Sequence, residues 1–253
     1  MGIEHERAFE DEICNYLASH GWLYEPGANA GYDKARAIYP PDVFAWLEQT
    51  QPDELAKIVR PGASIAGKNT AEQHTAREQL LDRLAKTLDS PLDAGGGTLN
   101  VLRRGFKKTP ATLQMCEFEP AMSLNAAATA RYNAVRLRVI RQVYYSTKNT
   151  QSIDLVLLVN GLPVATIELK TDNTQSLDDA IAQYRQHRDP RGEPLLGFAN
   201  RCLVHFAVSN DEVAMTTRLA GRATQFLPFN RGSDGGAGNP ANPQGSASSY
   251  LWE

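Results

Sequence analysis

Two carboxylates and a lysine lie inside the most apolar part of this chain. Ile153 to Val159 is almost continuously aliphatic, interrupted by Asp154, whereas Val164 to Lys170 alternates. In the second run Thr166, Glu168 and Lys170 share one face, and Ala165, Ile167 and Leu169 the other. The first run reads as a strand buried on both sides and the second as its partner. Between them Asn160-Gly161 is a strong hairpin signal, because both residues tolerate φ > 0. A tight two-residue loop pairs position 154 with 167. A loop one residue longer, which Pro163 allows, pairs 154 with 168 and sets the carboxylates roughly 5 Å apart at Cβ. A slip of one residue separates them.

A buried, unpaired carboxylate is costly and tends to take up a proton instead. Asp154 and Glu168 therefore suggest a shared ligand, and two hard oxygens suit a divalent cation such as Mg²⁺. Lys170 beside them can orient an attacking water or offset charge building on a phosphate. Asp, then Glu-x-Lys, is thus the pattern of a metal-dependent phosphodiesterase. The plain alternative is a hairpin with a satisfied core aspartate and surface Glu and Lys.

With 253 residues the chain suits one large domain, or a domain with an extension, and can bury a full core. No stretch approaches the roughly 18 apolar residues of a membrane span, and the N-terminus is acidic (Glu4, Glu6, Glu10, Asp11, Glu12), so a cytoplasmic protein is expected. Cys14, Cys116 and Cys202 read as reduced core cysteines. The net charge of −3 does not describe a free-standing nucleic-acid binder. No acid occurs from Pro120 to Ile153, however, where Arg131, Arg136, Arg138, Arg141 and Lys148 stand, and Arg103, Arg104, Lys107 and Lys108 form a second cluster. These form either a solvated face or a phosphate-facing rim beside the acidic site.

The periodicity predicts a helix over about 4–20, with Phe9, Ile13, Tyr16 and Leu17 on its apolar side, then an irregular connection over 22–39. Short helices are expected at 40–49 and 53–59 and a longer one at 70–88. Strands are expected at 99–103, 113–118, 135–146, 153–159, 164–170, 202–208 and 212–217, with a helix over 176–186. Residues 229–253 are rich in Asn, Gly, Ser and Pro, as a linker is, and the apolar signal restored at Tyr250-Leu-Trp-Glu253 suggests a longer polypeptide.

Gly62 to Lys68 nearly matches a phosphate-binding loop, but Asn69 stands where Ser or Thr should reach Mg²⁺, so a helix-capping loop is expected. The five histidines show no metal-ligand spacing. Glu6 and Glu10, one helical turn apart, are either solvated or supply a further ligand leaning over the sheet. Gln183, Tyr184 and Arg185 follow the Glu-x-Lys strand on a helix, as plain helix composition or as DNA contacts.

The stretch from Tyr144 through Ser152 to Lys170 resembles the N-terminal nuclease domain of the restriction (R) subunit of type I restriction-modification enzymes. Val204 to Arg218, Phe226-Leu-Pro-Phe-Asn230 and Gly238-Asn-Pro240 resemble it too. The resemblance implies an α/β fold of the PD-(D/E)xK restriction-endonuclease type, a central mixed β-sheet flanked by helices, cutting double-stranded DNA with Mg²⁺. It implies an endonuclease domain over 1–228, with a helical insertion at about 40–90, and a linker over 229–253 toward an ATP-dependent motor. On its motif Asp154 and Glu168 are metal ligands, Lys170 is the catalytic lysine, and Glu10, with Glu6 as rival, is the acid of the first helix. Ile153 stands where the motif's name has proline. Relatives carry Gln-x-x-x-Tyr on the following helix, whereas here His187 follows Gln183 and Tyr184 comes early. DNA contacts are expected from Gln183, Tyr184, Arg138 and Arg141. Implied partners are DNA and the modification and specificity subunits, with ATP used only in the full-length protein. A stand-alone repair nuclease and a non-catalytic docking domain are the rival readings.

Overall fold

The computed structural model describes residues 2–60, 70–122, 125–171, 176–230, 232 and 239, with side chains from residue 7 onward and, after the first interval, from residue 71. The Gly62–Asn69 motif, most of the 229–253 segment and the side chain of Glu6 lie outside the described residues.

Six strands form one mixed sheet in chain order: β3 (Leu137–Tyr144), β4 (Ser152–Val159), β5 (Leu162–Leu169), β6 (Val204–Val208), β7 (Val213–Thr216) and β8 (Leu227–Pro228). All neighbours are antiparallel except β5 and β6, which run parallel and are joined by a crossover containing α7 (Leu177–His187). A small separate ribbon pairs β1 (Phe106–Lys108) with β2 (Ala111–Leu113).

Each sheet face is covered by one amphipathic helix. On one side α1 (Gly2–Ser19) buries Phe9, Ile13 and Cys14 against Val139, Leu155, Leu169 and Val208. On the other, α7 buries Ala180 and Tyr184 against Ile140, Ile153, Val156 and Ala207. The backbone N–H of Ser176 donates to the Asp179 carboxylate at 2.7 Å, which fixes the start of α7. A third core joins α2 (Pro40–Thr50), α3 (Pro52–Ala56), α4 (Thr70–Leu88) and α5 (Thr98–Arg104) through Val43, Trp46, Leu80, Leu84, Val101 and Leu162. Cys14 and Cys202 are buried, Cys116 partly so, and all three are free thiols.

Two expectations are corrected. Residues 99–103 are helical, within α5, rather than a strand: Val101 and Leu102 face the helical core while Leu99 is exposed, and positive-φ glycines bracket the segment (Gly97 φ 82°, Gly105 φ 69°). Of 113–118, Leu113 alone belongs to a strand. Beyond it the backbone is satisfied by side chains, with Gln114 O accepting from Trp46 Nε1 and Gln51 Nε2, both at 2.8 Å. A helix, α6 (Ala126–Asn133), capped by Asn125 at 3.0 Å from Ala128 N, occupies a stretch for which no element was expected.

Candidate active site

The hairpin turns through Asn160 (φ 49°) and Gly161 (φ 82°), both left-handed, as a tight turn matching strand twist requires. Val159 pairs with Leu162, so the loop has two residues, the shorter of the two lengths considered. A bulge between Leu157 and Leu158 then shifts the register, so that Leu155 pairs with Ile167, the last pair before Asp154 and Glu168. The tight loop and a bulge beside Pro163 thus give the register one step short of the expected 154–168 pair. The ladder between β4 and β5 ends there. Leu169 N donates instead to Asp154 Oδ2, at 2.8 Å, so the aspartate stands where the two strands part.

Asp154 lies between two further carboxylates. Glu168 is fully buried on the α7 side, where its Oε1 accepts from Arg188 Nε at 2.6 Å and its Oε2 has no hydrogen-bond partner. Burial, and next the charge of Asp154, push the Glu168 carboxyl well above its usual range. Glu10, on α1, accepts from Arg141 Nε at 2.8 Å and from Gln142 Nε2 at 2.6 Å. Burial raises its pKa, and Asp154 adds to the rise against the opposing pull of Arg141. One aspartate thus repels a glutamate on either side, an arrangement that favours proton or cation uptake.

A groove of about 600 Å³ opens over this point, lined among others by Arg7, Glu10, Gln142, Asp154, Lys170 and Gln183. Its far wall is Tyr24 to Asn29, part of the connection expected to be merely irregular. The backbone N–H of Lys170 bonds Val208 O at 2.9 Å, which anchors this residue to β6 just beyond the end of β5. Lys170 and Gln183 also line a second hollow along α7, so the lysine stands at the junction of both.

The other expected DNA contacts are placed differently. Tyr184 is buried and shares a 2.7 Å hydrogen bond with Thr166, whose hydroxyl also bonds His205 Nδ1 at 2.7 Å. Arg138 is 3% exposed and binds both oxygens of Asp42 (2.6 and 3.0 Å). These positions correct the expectation that either side chain faces DNA: each is consumed inside the fold. Arg141 lines the groove but is tied to Glu10 and Asp11. Arg136 bonds Asp42 at 2.8 Å and Arg131 bonds Glu117 at 2.6 Å. Much of the basic stretch is therefore neutralised by acids distant in sequence.

Two site residues had no strong sequence signal. Arg188 lies just past the predicted helix and meets Glu168 only in three dimensions. Gln142 sits inside β3, and its one trace is the polar pair Arg141-Gln142 in a strand otherwise alternating toward apolar faces. Its left-handed backbone (φ 47°) lets consecutive side chains, Arg141 and Gln142, both reach Glu10.

Among the described residues, no three His, Cys, Asp or Glu side chains form a ready-made metal cage. The donor set nevertheless fits a hard divalent cation in its chemistry: Glu10 and Asp154 line one groove, and Glu168, which feels the charge of Asp154, keeps an unpartnered oxygen.

A family model described as the type I restriction enzyme R protein N terminus matches residues 4–224. No curated protein matches the chain. No helix among the described residues is long and apolar enough to cross a membrane.

Proposed function

Because the chain belongs to the family of type I restriction enzyme R protein N termini, we propose that its groove is the Mg²⁺-dependent endonuclease site that cuts both strands of foreign DNA. The observation carrying this reading is the Asp154-centred set: carboxylates on either side, a lysine on the same groove, and a cavity of about 600 Å³ over them. Asp154 and Glu10, which line the groove, would hold the ion, and Glu168 would join them on ion binding, since the three carboxylates do not converge without it. When bound, it would supply charge stabilisation at the phosphate and lower the pKa of a coordinated water.

Lys170 would orient the attacking water or balance the developing negative charge, since its side chain borders the same groove as Asp154. Gln183, on the α7 rim, would hydrogen-bond the DNA backbone. The modification and specificity subunits would bring the DNA, which accords with a domain of net charge −3. ATP would be used elsewhere in the full-length subunit, and the assembly would work in the cytoplasm.

One observation favours the rival, a non-catalytic docking domain: Glu168 is already paired with Arg188, as in a structural ion pair. Asp154→Ala and Lys170→Ala, each in the assembled enzyme, separate the two readings. Loss of cutting by about 100-fold or more with ATP hydrolysis intact is expected. Undiminished cutting by either variant would remove the nuclease assignment from this site.

A further inference from the structure

Gln142 fills the space between two carboxylates with a neutral donor. Its Nε2 lies 2.6 Å from Glu10 Oε1 and 3.3 Å from Asp154 Oδ1, while its Oε1 accepts from the Ser152 hydroxyl at 2.9 Å. The backbone that delivers this amide is left-handed (φ 47°), an uncommon conformation for a residue with a side chain, and its carbonyl is held by Asn29 Nδ2 at 3.2 Å. Such an outlier at the centre of a site points to a role there.

The amide has a donor end and an acceptor end, and a serine hydroxyl can both donate and accept. A half-turn of the amide would therefore leave Ser152 satisfied, with Nε2 donating to it. The oxygen end would then face Glu10 and Asp154, where its partial negative charge is unfavourable unless a cation or a proton stands between. A further sign is Glu168 Oε2, fully buried and without a hydrogen-bond partner, beside the charge of Asp154.

We propose that Gln142 is an exchanging ligand: its Nε2 bridges Glu10 and Asp154, and on cation binding its amide would turn over so that Oε1 joins the two carboxylates while Ser152 takes Nε2. The inference rests on the divalent-cation reading of this groove.

Calorimetric titration of Mg²⁺ into the chain and its Gln142→Leu, Gln142→Glu and Asp154→Ala variants tests it, together with the side-chain amide NMR resonance of Gln142. Gln142→Leu should weaken binding about 10-fold or more, in the range seen for groups that tune metal sites. Gln142→Glu should tighten it, and the Gln142 amide resonance should move on Mg²⁺ addition in the parent chain. If Asp154→Ala abolishes binding while both Gln142 variants bind like the parent, the exchange is wrong and the cation site stands. If the parent binds no Mg²⁺, or Asp154→Ala binds as well as it does, the cation reading fails and the exchange with it. Circular dichroism checks folding; should Gln142→Leu not fold, a static amide resonance or unimproved binding by Gln142→Glu overturns the proposal.

Discussion

Arg188 donates from Nε to Glu168 Oε1 at 2.6 Å in a setting where both side chains are buried. Its other end reaches Ser152 O at 2.7 Å, and the guanidinium lies over the Tyr145 ring. The pair thus clamps β4, β5 and the end of α7 at the point where the two strands part.

Breaking this pair from one side leaves an uncompensated buried charge. Arg188→Met should destabilise the chain by about 3–5 kcal/mol. Adding Glu168→Gln should restore more than half of that, because the orphaned charge is gone. Guanidinium unfolding of the two single variants and the double variant forms the cycle. Additive losses would show that the pair is not coupled.

The two flanking glutamates make stability depend on pH. Both have folded pKa values raised above the ordinary 4.5, so between 4.5 and the raised values the folded state holds more protons than the unfolded one. Their contribution is present below pH 4.5 and is lost as pH rises through the raised values. Asp154→Asn should lower the titration midpoints of Glu10 and Glu168 together, read by carboxyl NMR, and flatten that slope in thermal melts. Unmoved midpoints would show that Asp154 does not couple them.

His205 acts with the opposite sign. Burial holds its folded pKa at about 4, against an ordinary 6.5, and its Nε2 has no partner. Between those values the unfolded chain binds the extra proton, so stability is lost as pH falls from 6.5 toward 4, by up to roughly 3 kcal/mol. His205→Asn should remove this acid-side slope, measured as urea midpoints from pH 4 to 7, while costing some stability at neutral pH.

Arg138 should read out in stability and not in DNA affinity. It and Asp42 are both buried and doubly hydrogen-bonded, and Arg136 shares the same carboxylate. Asp42→Ala or Arg138→Ala should cost about 3–5 kcal/mol. Folded Arg138→Ala protein, assayed at low temperature, should keep the parent's salt dependence of DNA binding. A shallower slope would return Arg138 to the DNA-facing rim.

Gly161 tolerates no side chain. A Cβ there would stand 2.5 Å from Tyr39 O and 2.8 Å from Val43 N, at a φ of +82°. Gly161→Ala should therefore destabilise by about 3 kcal/mol in denaturant unfolding, combining backbone strain with a clash against α2. A neutral result would mean that the hairpin and α2 can separate without loss.

The amphipathic helices and the central strands were legible from residue order, because each buries one recurring face. Phe9 and Ile13 announce α1, and Ala180 with Tyr184 announces α7. Short apolar runs were not legible, since Leu99, Val101 and Leu102 suit a strand or a helix equally until α4 packs beside them. The lost 114–118 strand has the same cause: Trp46 and Gln51 supply the hydrogen bonds that a neighbouring strand would have given.

For the site the division is equally physical. Residue order alone determined that Asp154 and Glu168 fall on adjoining strands of one hairpin with Lys170 beside them, because alternation and an Asn-Gly turn are local properties of the chain. Only tertiary structure decided what each charge meets. The bulge after Leu157 set the register, Arg188 came 20 residues beyond Glu168, and Glu10 and Gln142 were brought together across 132 positions. The basic stretch lost its apparent freedom in the same way, since Asp42 and Glu117 come from distant segments. Electrostatic partners act through space at a few ångströms, and the order of residues carries that distance only where the chain itself is short between them.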